Sequence, residues 1–302
     1  MFRPPWTKAD ALGRSQAVRQ RILIPPFPGS NPGAPAILRR VAAPARFASV
    51  RCPAFLLVVC SLLALDAAAQ PGGSRRGGFG ESLPAPGLSV TFEAGVQCPQ
   101  IASPYGALTR YDGSSRRTGG AEGAHGGIDL SLEEGTPVRA IARGRVFAAG
   151  EGGMLEGIFL WILHLPEESG LEFPFLAKYQ HLREPSPLGT GAPVLPGQEV
   201  ARSGKTGTVG GHYGAAGYPH LHLTVRLLTA EGVRRAASGG DFRLLRDSII
   251  VDSLTVYIQG LRTPGDAAAL PSDKKVLRVA TVDRAGTPRP AGAPSVWPVA
   301  CR

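Results

Sequence analysis

Cysteine is scarce in this chain of 302 residues: four are present, at positions 52, 60, 98 and 301, and none lies between the last two. That gap excludes a structural zinc site built on thiolates in the intervening sequence. No Walker A loop is present, and no GxGxxG sits in a βαβ setting, so a nucleotide-binding function has no support. A mostly helical fold is disfavoured by 40 glycines and 28 prolines. The net charge of +10 suggests a nucleic-acid or membrane partner, but its distribution removes the suggestion. Residues 1–69 hold nine Lys/Arg against two Asp/Glu, whereas 70–302 hold 24 against 21. The basicity belongs mainly to the N-terminal arm, and no nucleic-acid partner is expected.

The arm itself, rich in Arg, Pro and Ala, reads as disordered up to residue 52. The apolar run Ala54–Leu65 has 12 residues, short of the ~20 that span a membrane. Arg39, Arg40, Arg46 and Arg51 precede it, and Ala67-Ala68-Ala69 follows. This is the pattern of a secretory signal peptide cleaved after Ala69. The expected mature protein is exported, periplasmic or extracellular, with no stable membrane span. Residues 70–90 have the composition of a flexible linker.

From Leu88 onward short apolar runs alternate with turn signals, which favours β structure. Strands are expected at Ile128–Leu130, Val138–Ala142, Arg145–Ala149, Ile158–Leu165, Phe175–Leu182, Gln198–Ala201, His220–Leu228, Ser253–Ile258 and Lys275–Val282. Arg243–Ile249 reads as a short helix or turn. His164, inside an apolar strand, reads as a satisfied core histidine.

Three short stretches carry the chemistry. In Tyr218-Pro-His-Leu-His-Leu223 two histidines stand at i and i+2, so on a strand His220 and His222 share a face while Leu221, Leu223 and Val225 fill the core face. His125-Gly-Gly-Ile-Asp129 offers an imidazole and a carboxylate four apart. The glycines argue against a helix, so a zincin-type HExxH helix is not the right comparison. Tyr179-Gln-His-Leu182 adds His181. His125, Asp129 and one imidazole of the His220/His222 pair supply three ligands with a position left open, the pattern of a catalytic zinc site. Spacing alone does not decide between His220 and His222.

Together with Gly135-Thr-Pro-Val138, Gly197-Gln198 and Gly204-Lys-Thr-Gly207, these stretches resemble the M23 family of metalloendopeptidases, the lysostaphin/LytM type. The motif core covers residues 106–230, within a domain expected over 91–262. The resemblance implies an antiparallel β-sheet that forms a groove. It implies Zn2+ held by His125, Asp129 and His222, with His181 and His220 assisting catalysis. It implies a monomer that hydrolyses peptide bonds of peptidoglycan. The alternative is a non-catalytic module of the same type that activates a wall amidase; such modules usually lack several of the five residues, and all five stand here. A latent form with an asparagine plugging the metal is not expected, since Asn31 is the one asparagine in the chain.

The loop 208–218, with His212 and Tyr213, is longer than the family pattern and reads as a solvated insertion. Residues 263–302 read as an irregular Pro-rich extension. Removal of the signal segment leaves Cys98 and Cys301, an even pair in an exported chain, which are expected to form a disulfide.

Overall fold

The computed structural model describes residues 81–110, 113–116, 123–153, 156–208, 218–237 and 242–302. The expected arm, signal segment and most of the linker lie outside the described residues, as do His212 and Tyr213.

The chain folds mainly as β structure. Its strands are β1 (Ser89–Thr91), β2 (Ile101–Ser103), β3 (Ile128–Ser131), β4 (Pro137–Arg139), β5 (Gly144–Glu151), β6 (Ile158–His164), β7 (Phe175–Leu182), β8 (Pro193–Val194), β9 (Glu199–Arg202), β10 (His220–Leu228), β11 (Ser248–Val251), β12 (Val276–Arg278), β13 (Thr281–Val282) and β14 (Pro288–Arg289). Two short helices interrupt them, α1 (Pro166–Ser169) and α2 (Ala230–Ala237). The main sheet runs β2-β3-β10-β7-β6-β5-β8, with β11 also paired to β10. All its pairings are antiparallel. β3 lies along the first half of β10 and β11 along the second.

Alternation along β10, β7 and β6 divides the sheet into two faces. Leu221, Leu223 and Val225 join Ala177, Tyr179, Leu160 and Ile162 in the main core, all fully buried. The opposite face carries His220, His222, Thr224 and Arg226 of β10. Its far end is covered by α2 and by residues 242–247, where Leu244, Val233 and Ala236 pack on Trp161, Leu176, Leu228 and Phe147 in a second cluster. Helix α2 was not legible in the sequence. Its eight residues span barely two turns, and the only apolar side chain larger than alanine is Val233.

Two expected strands are corrected. Ser253–Tyr257 is a 3-10 helix rather than a strand. The Asp252 carboxylate accepts the Leu254 N–H at 2.9 Å, and such a cap diverts the backbone into a turn. Lys275–Val282 is split into β12 and β13. The Pro-rich 263–302 segment is folded onto the domain: Trp297 and Val299 are fully buried, β12 pairs with β1, and Cys301 is bonded to Cys98 with Cα atoms 4.5 Å apart.

His164 is fully buried and stacked on Phe175 at 4.4 Å between centroids. It is only half satisfied. Nδ1 donates to the Arg143 carbonyl at 2.9 Å, while Nε2 has no hydrogen-bond partner among the described residues. Burial pushes its pKa down to about 4. Unfolding restores the ordinary value, so between pH ~6.5 and ~4 the unfolded chain binds the extra proton and stability falls as pH falls. The expected loss across that window is roughly 3 kcal/mol. His164→Gln, which keeps a donor and does not titrate, is expected to flatten this part of the pH–stability curve. Parallel denaturant titrations at pH 7 and pH 4.5 check it; equal slopes for both chains would show that His164 is not the source.

Candidate metal and catalytic centre

Register places the ligands. His222 of β10 lies directly opposite Asp129 of β3, and on its other side opposite Gln180 of β7. His125 stands three residues before β3, and Gly126-Gly127 lets the chain turn His125 onto the same spot. A Cβ at Gly127 would lie 2.4 Å from the Leu223 carbonyl oxygen and 2.9 Å from His222 Nε2. Only glycine leaves room for the His222 ring there.

The result is a tight triangle. His125 Nε2 is 3.0 Å from His222 Nδ1 and 3.1 Å from Asp129 Oδ1, and His222 Nδ1 is 2.8 Å from Asp129 Oδ1. The outer atoms orient the rings, and a carbonyl fixes the tautomer of one of them. His125 Nδ1 faces the Pro104 carbonyl at 3.0 Å. A carbonyl can only accept, so the proton is on Nδ1 and the Nε2 lone pair points inward. His222 Nε2 faces Thr224 Oγ1 at 2.8 Å, leaving Nδ1 for the centre. A lone pair and a carboxylate oxygen 3.1 Å apart repel each other unless a cation lies between them. Two imidazole nitrogens and one carboxylate oxygen are a suitable donor set for a divalent metal ion. These residues therefore fit such an ion.

His181 and His220 complete the cluster. Their ring centroids are 4.5 Å apart, and His181 is 5.9 Å from His222. His181 Nδ1 donates to the Thr206 carbonyl at 2.7 Å, and His220 Nδ1 to the Tyr218 carbonyl at 3.1 Å. Both Nε2 lone pairs are thus free. Tyr218 stacks on His220, with planes 8° apart. Strict alternation along β7 would turn His181 away from Gln180 and into the core. A φ of 62° at His181, the one positive φ outside glycine among the described residues, redirects the ring. Such backbone conformations carry strain of about 1–3 kcal/mol and gather at functional sites. Gly207 and Gly157 approach too closely for any side chain, which holds the Thr206 loop against β6.

Electrostatics favour neutral imidazoles beside an ionised carboxylate. Burial lowers the pKa of His181 to about 3, helped by the neighbouring His220 and His222. Burial also lowers His222 to about 4, against the pull of Asp129. His220 is lowered by burial too, again opposed by Asp129. Burial alone would raise the Asp129 pKa, but the close approach of His125 and His222 outweighs it and holds the carboxyl well below its ordinary value. Unprotonated imidazole and carboxylate are the forms that bind metal.

All five residues singled out in the sequence are thus brought together. The supporting groups were not foreseen. Thr224 was within reach of a period-2 argument, being the next residue after His222 on the same face of β10. Arg116, whose guanidinium lies 3.4 Å from Asp129 Oδ2 and donates to Ser103 Oγ at 2.8 Å, sits in a Gly/Ser-rich loop with no pattern to mark it.

Residues 123–234 match peptidase family M23. No curated protein is significantly similar to the chain. Among solved structures, similarity is found to LytU (26% identity, TM-score 0.33, 45% of this chain and 79% of that one). The catalytic domain of the antimicrobial peptidase lysostaphin from Staphylococcus simulans is similar at 26% identity (TM-score 0.33, 43% and 80%). The catalytic domain of the prophage-encoded M23 protein EnpA from Enterococcus faecalis is similar at 22% (TM-score 0.31, 46% and 87%). With that match centred on the five-residue cluster, the chain carries a domain of peptidase family M23 over residues 123–234.

Proposed function

We propose that the protein is an exported zinc metalloendopeptidase that hydrolyses peptide bonds in peptidoglycan, with zinc held by His125, Asp129 and His222. The observation that carries this reading is the triangle of donor atoms within 3.1 Å of one another, flanked by two further imidazoles with free Nε2 lone pairs. Zinc at such a site makes bound water acidic and polarises a carbonyl. The chain's own residues do the rest. His220 and His181 accept hydrogen bonds or a proton from the attacking water at Nε2, and their Nδ1–H bonds to the backbone keep both rings aimed. In the protonated form, the same two groups donate to the oxyanion and then to the leaving amine. Export is supported by the Arg-flanked apolar run before Ala69. Among the described residues no helix is long and apolar enough to cross a membrane.

Incubation of the zinc-loaded protein with purified peptidoglycan, followed by mass spectrometry, tests the activity. New peptide amine termini in the soluble fragments are expected. Fully zinc-occupied protein that releases none, yet stimulates a wall amidase, would replace this reading with the activator one.

Thr224 gives a separate check on the metal. Thr224→Val removes the hydroxyl that holds the His222 ring at Nε2, and zinc affinity is expected to fall about 10–100-fold. Thr224→Ser is expected to keep it. Competition with a chromogenic chelator reads both, and equal affinities for the two variants would rule out this role for the hydroxyl.

A further inference from the structure

The sheet face that carries the cluster continues beyond it. After His222 the next residue on that face of β10 is Thr224, opposite Lys178 of β7, which is itself opposite Trp161 of β6. Residues two apart on a strand are separated by about 7 Å, so Lys178 stands one row from the candidate metal ligands.

Lysine is an unusual choice for such a position, with the residue only 7% exposed. Its Nζ lies 5.0 Å from the Phe159 ring centroid and 5.1 Å from that of Trp161. It is ion-paired to Glu156. The partner is its opposite in exposure: the Glu156 side chain is 39% exposed and lies on the connection from β5 to β6. Gln180, opposite His222, donates to the Glu156 backbone carbonyl at 3.4 Å, which ties this connection to the candidate centre. The next cation along the face, Arg226, is already used. It binds Ser248 Oγ at 2.8 Å and the Leu245 carbonyl at 2.9 Å. Lys178 is therefore a fixed cation in an aromatic cradle, paired to a carboxylate that is itself exposed to water; the pair opens only as another anion takes its place, because an unpaired buried charge is costly.

We propose that Lys178, cradled by Phe159 and Trp161, is a subsite for a carboxylate of the peptide substrate, and that Glu156 holds that place until the substrate displaces it. The inference rests on the peptidase reading and deepens it. An extended peptide advances about 3.3 Å per residue, so the carboxylate recognised lies within about two residues of the cleaved bond. The exchange conserves charge, since one carboxylate leaves Lys178 as another arrives.

The test compares soluble peptidoglycan stem peptides bearing free carboxylates with the same peptides amidated. Binding to the zinc-loaded protein is read by tryptophan fluorescence, since Trp161 lies under the lysine. The free-acid peptides are expected to bind about tenfold tighter than the amides. Lys178→Met is expected to abolish that preference with zinc content unchanged. Glu156→Gln is expected to tighten free-acid binding about threefold or more by removing the competitor, and it carries the test alone if the lysine variant does not fold. Equal binding of acid and amide by the unmodified protein, no binding of either, a preference that survives Lys178→Met, or free-acid binding unchanged or weakened by Glu156→Gln would each overturn the subsite. Because binding is read without hydrolysis, absence of cleavage would count against the peptidase reading and leave this one standing.

Discussion

Replacing His222 by alanine is expected to strip zinc from the protein. The variant would leave His125 Nε2 and Asp129 Oδ1 facing each other at 3.1 Å with no third donor. Removing an outer partner of a metal site costs about 10–100-fold in affinity, and loss of a direct ligand should exceed that. His220 is a candidate to take over, being the other member of the i, i+2 pair. Its Nε2 lies 3.8 Å from Asp129 Oδ1, against 2.8 Å for His222 Nδ1, so substitution without rearrangement is not expected. His220→Ala should give the reverse result, full zinc content with hydrolysis reduced about 10²–10⁴-fold. Metal analysis after dialysis, beside peptidoglycan hydrolysis, separates the two. Full occupancy in the His222→Ala chain would transfer the third ligand role to another residue.

The second large effect concerns the Cys98–Cys301 bond, which joins residues 203 positions apart. Its Cα separation of 4.5 Å lies in the ordinary range for disulfides, so no backbone movement is needed. Removing a native disulfide of this kind costs about 2–5 kcal/mol, or about 5–15 °C in Tm for a domain of this size. What the bond secures is visible in the packing. Beside Cys301, Trp297 is fully buried against Phe92 at 5.3 Å, and Val296 donates to the Ile141 carbonyl at 2.8 Å. Melting curves with and without reductant should differ for the unmodified protein and coincide for a Cys98→Ser, Cys301→Ser chain. Coincident curves for both would remove the bond from the account of stability.

The site was legible because its chemistry is local in sequence. His220-Leu-His222 fixes two rings on one face by alternation alone, and His125 and Asp129 lie within five residues of each other. Which of His220 and His222 faces Asp129 was not decidable from spacing, because it depends on the register between β3 and β10, a relation across some ninety positions. The inward turn of His181 was illegible for a related reason: strand periodicity predicts the wrong face, and a single backbone torsion reverses it. In the fold, the strongly apolar strands β6, β7 and β10 were found within a residue or so of their ends. Helix α2 and the 3-10 turn at 253–257 were missed, since one is barely two turns long with alanines for most of its apolar face and the other is decided by a single capping carboxylate at Asp252.

The pairing of β1 with β12, and of Gln97 with Arg302 through two backbone hydrogen bonds of 2.8 Å, has a consequence for the order of folding. Strands Ser89–Thr91 and the core around Trp297 cannot close until residues 276–301 have arrived. Contacts of such long sequence separation make folding slow. The strands that hold the candidate metal centre pair within residues 128–228, so the closure that waits for the C-terminal segment is that of the β1 edge and the Trp297 core.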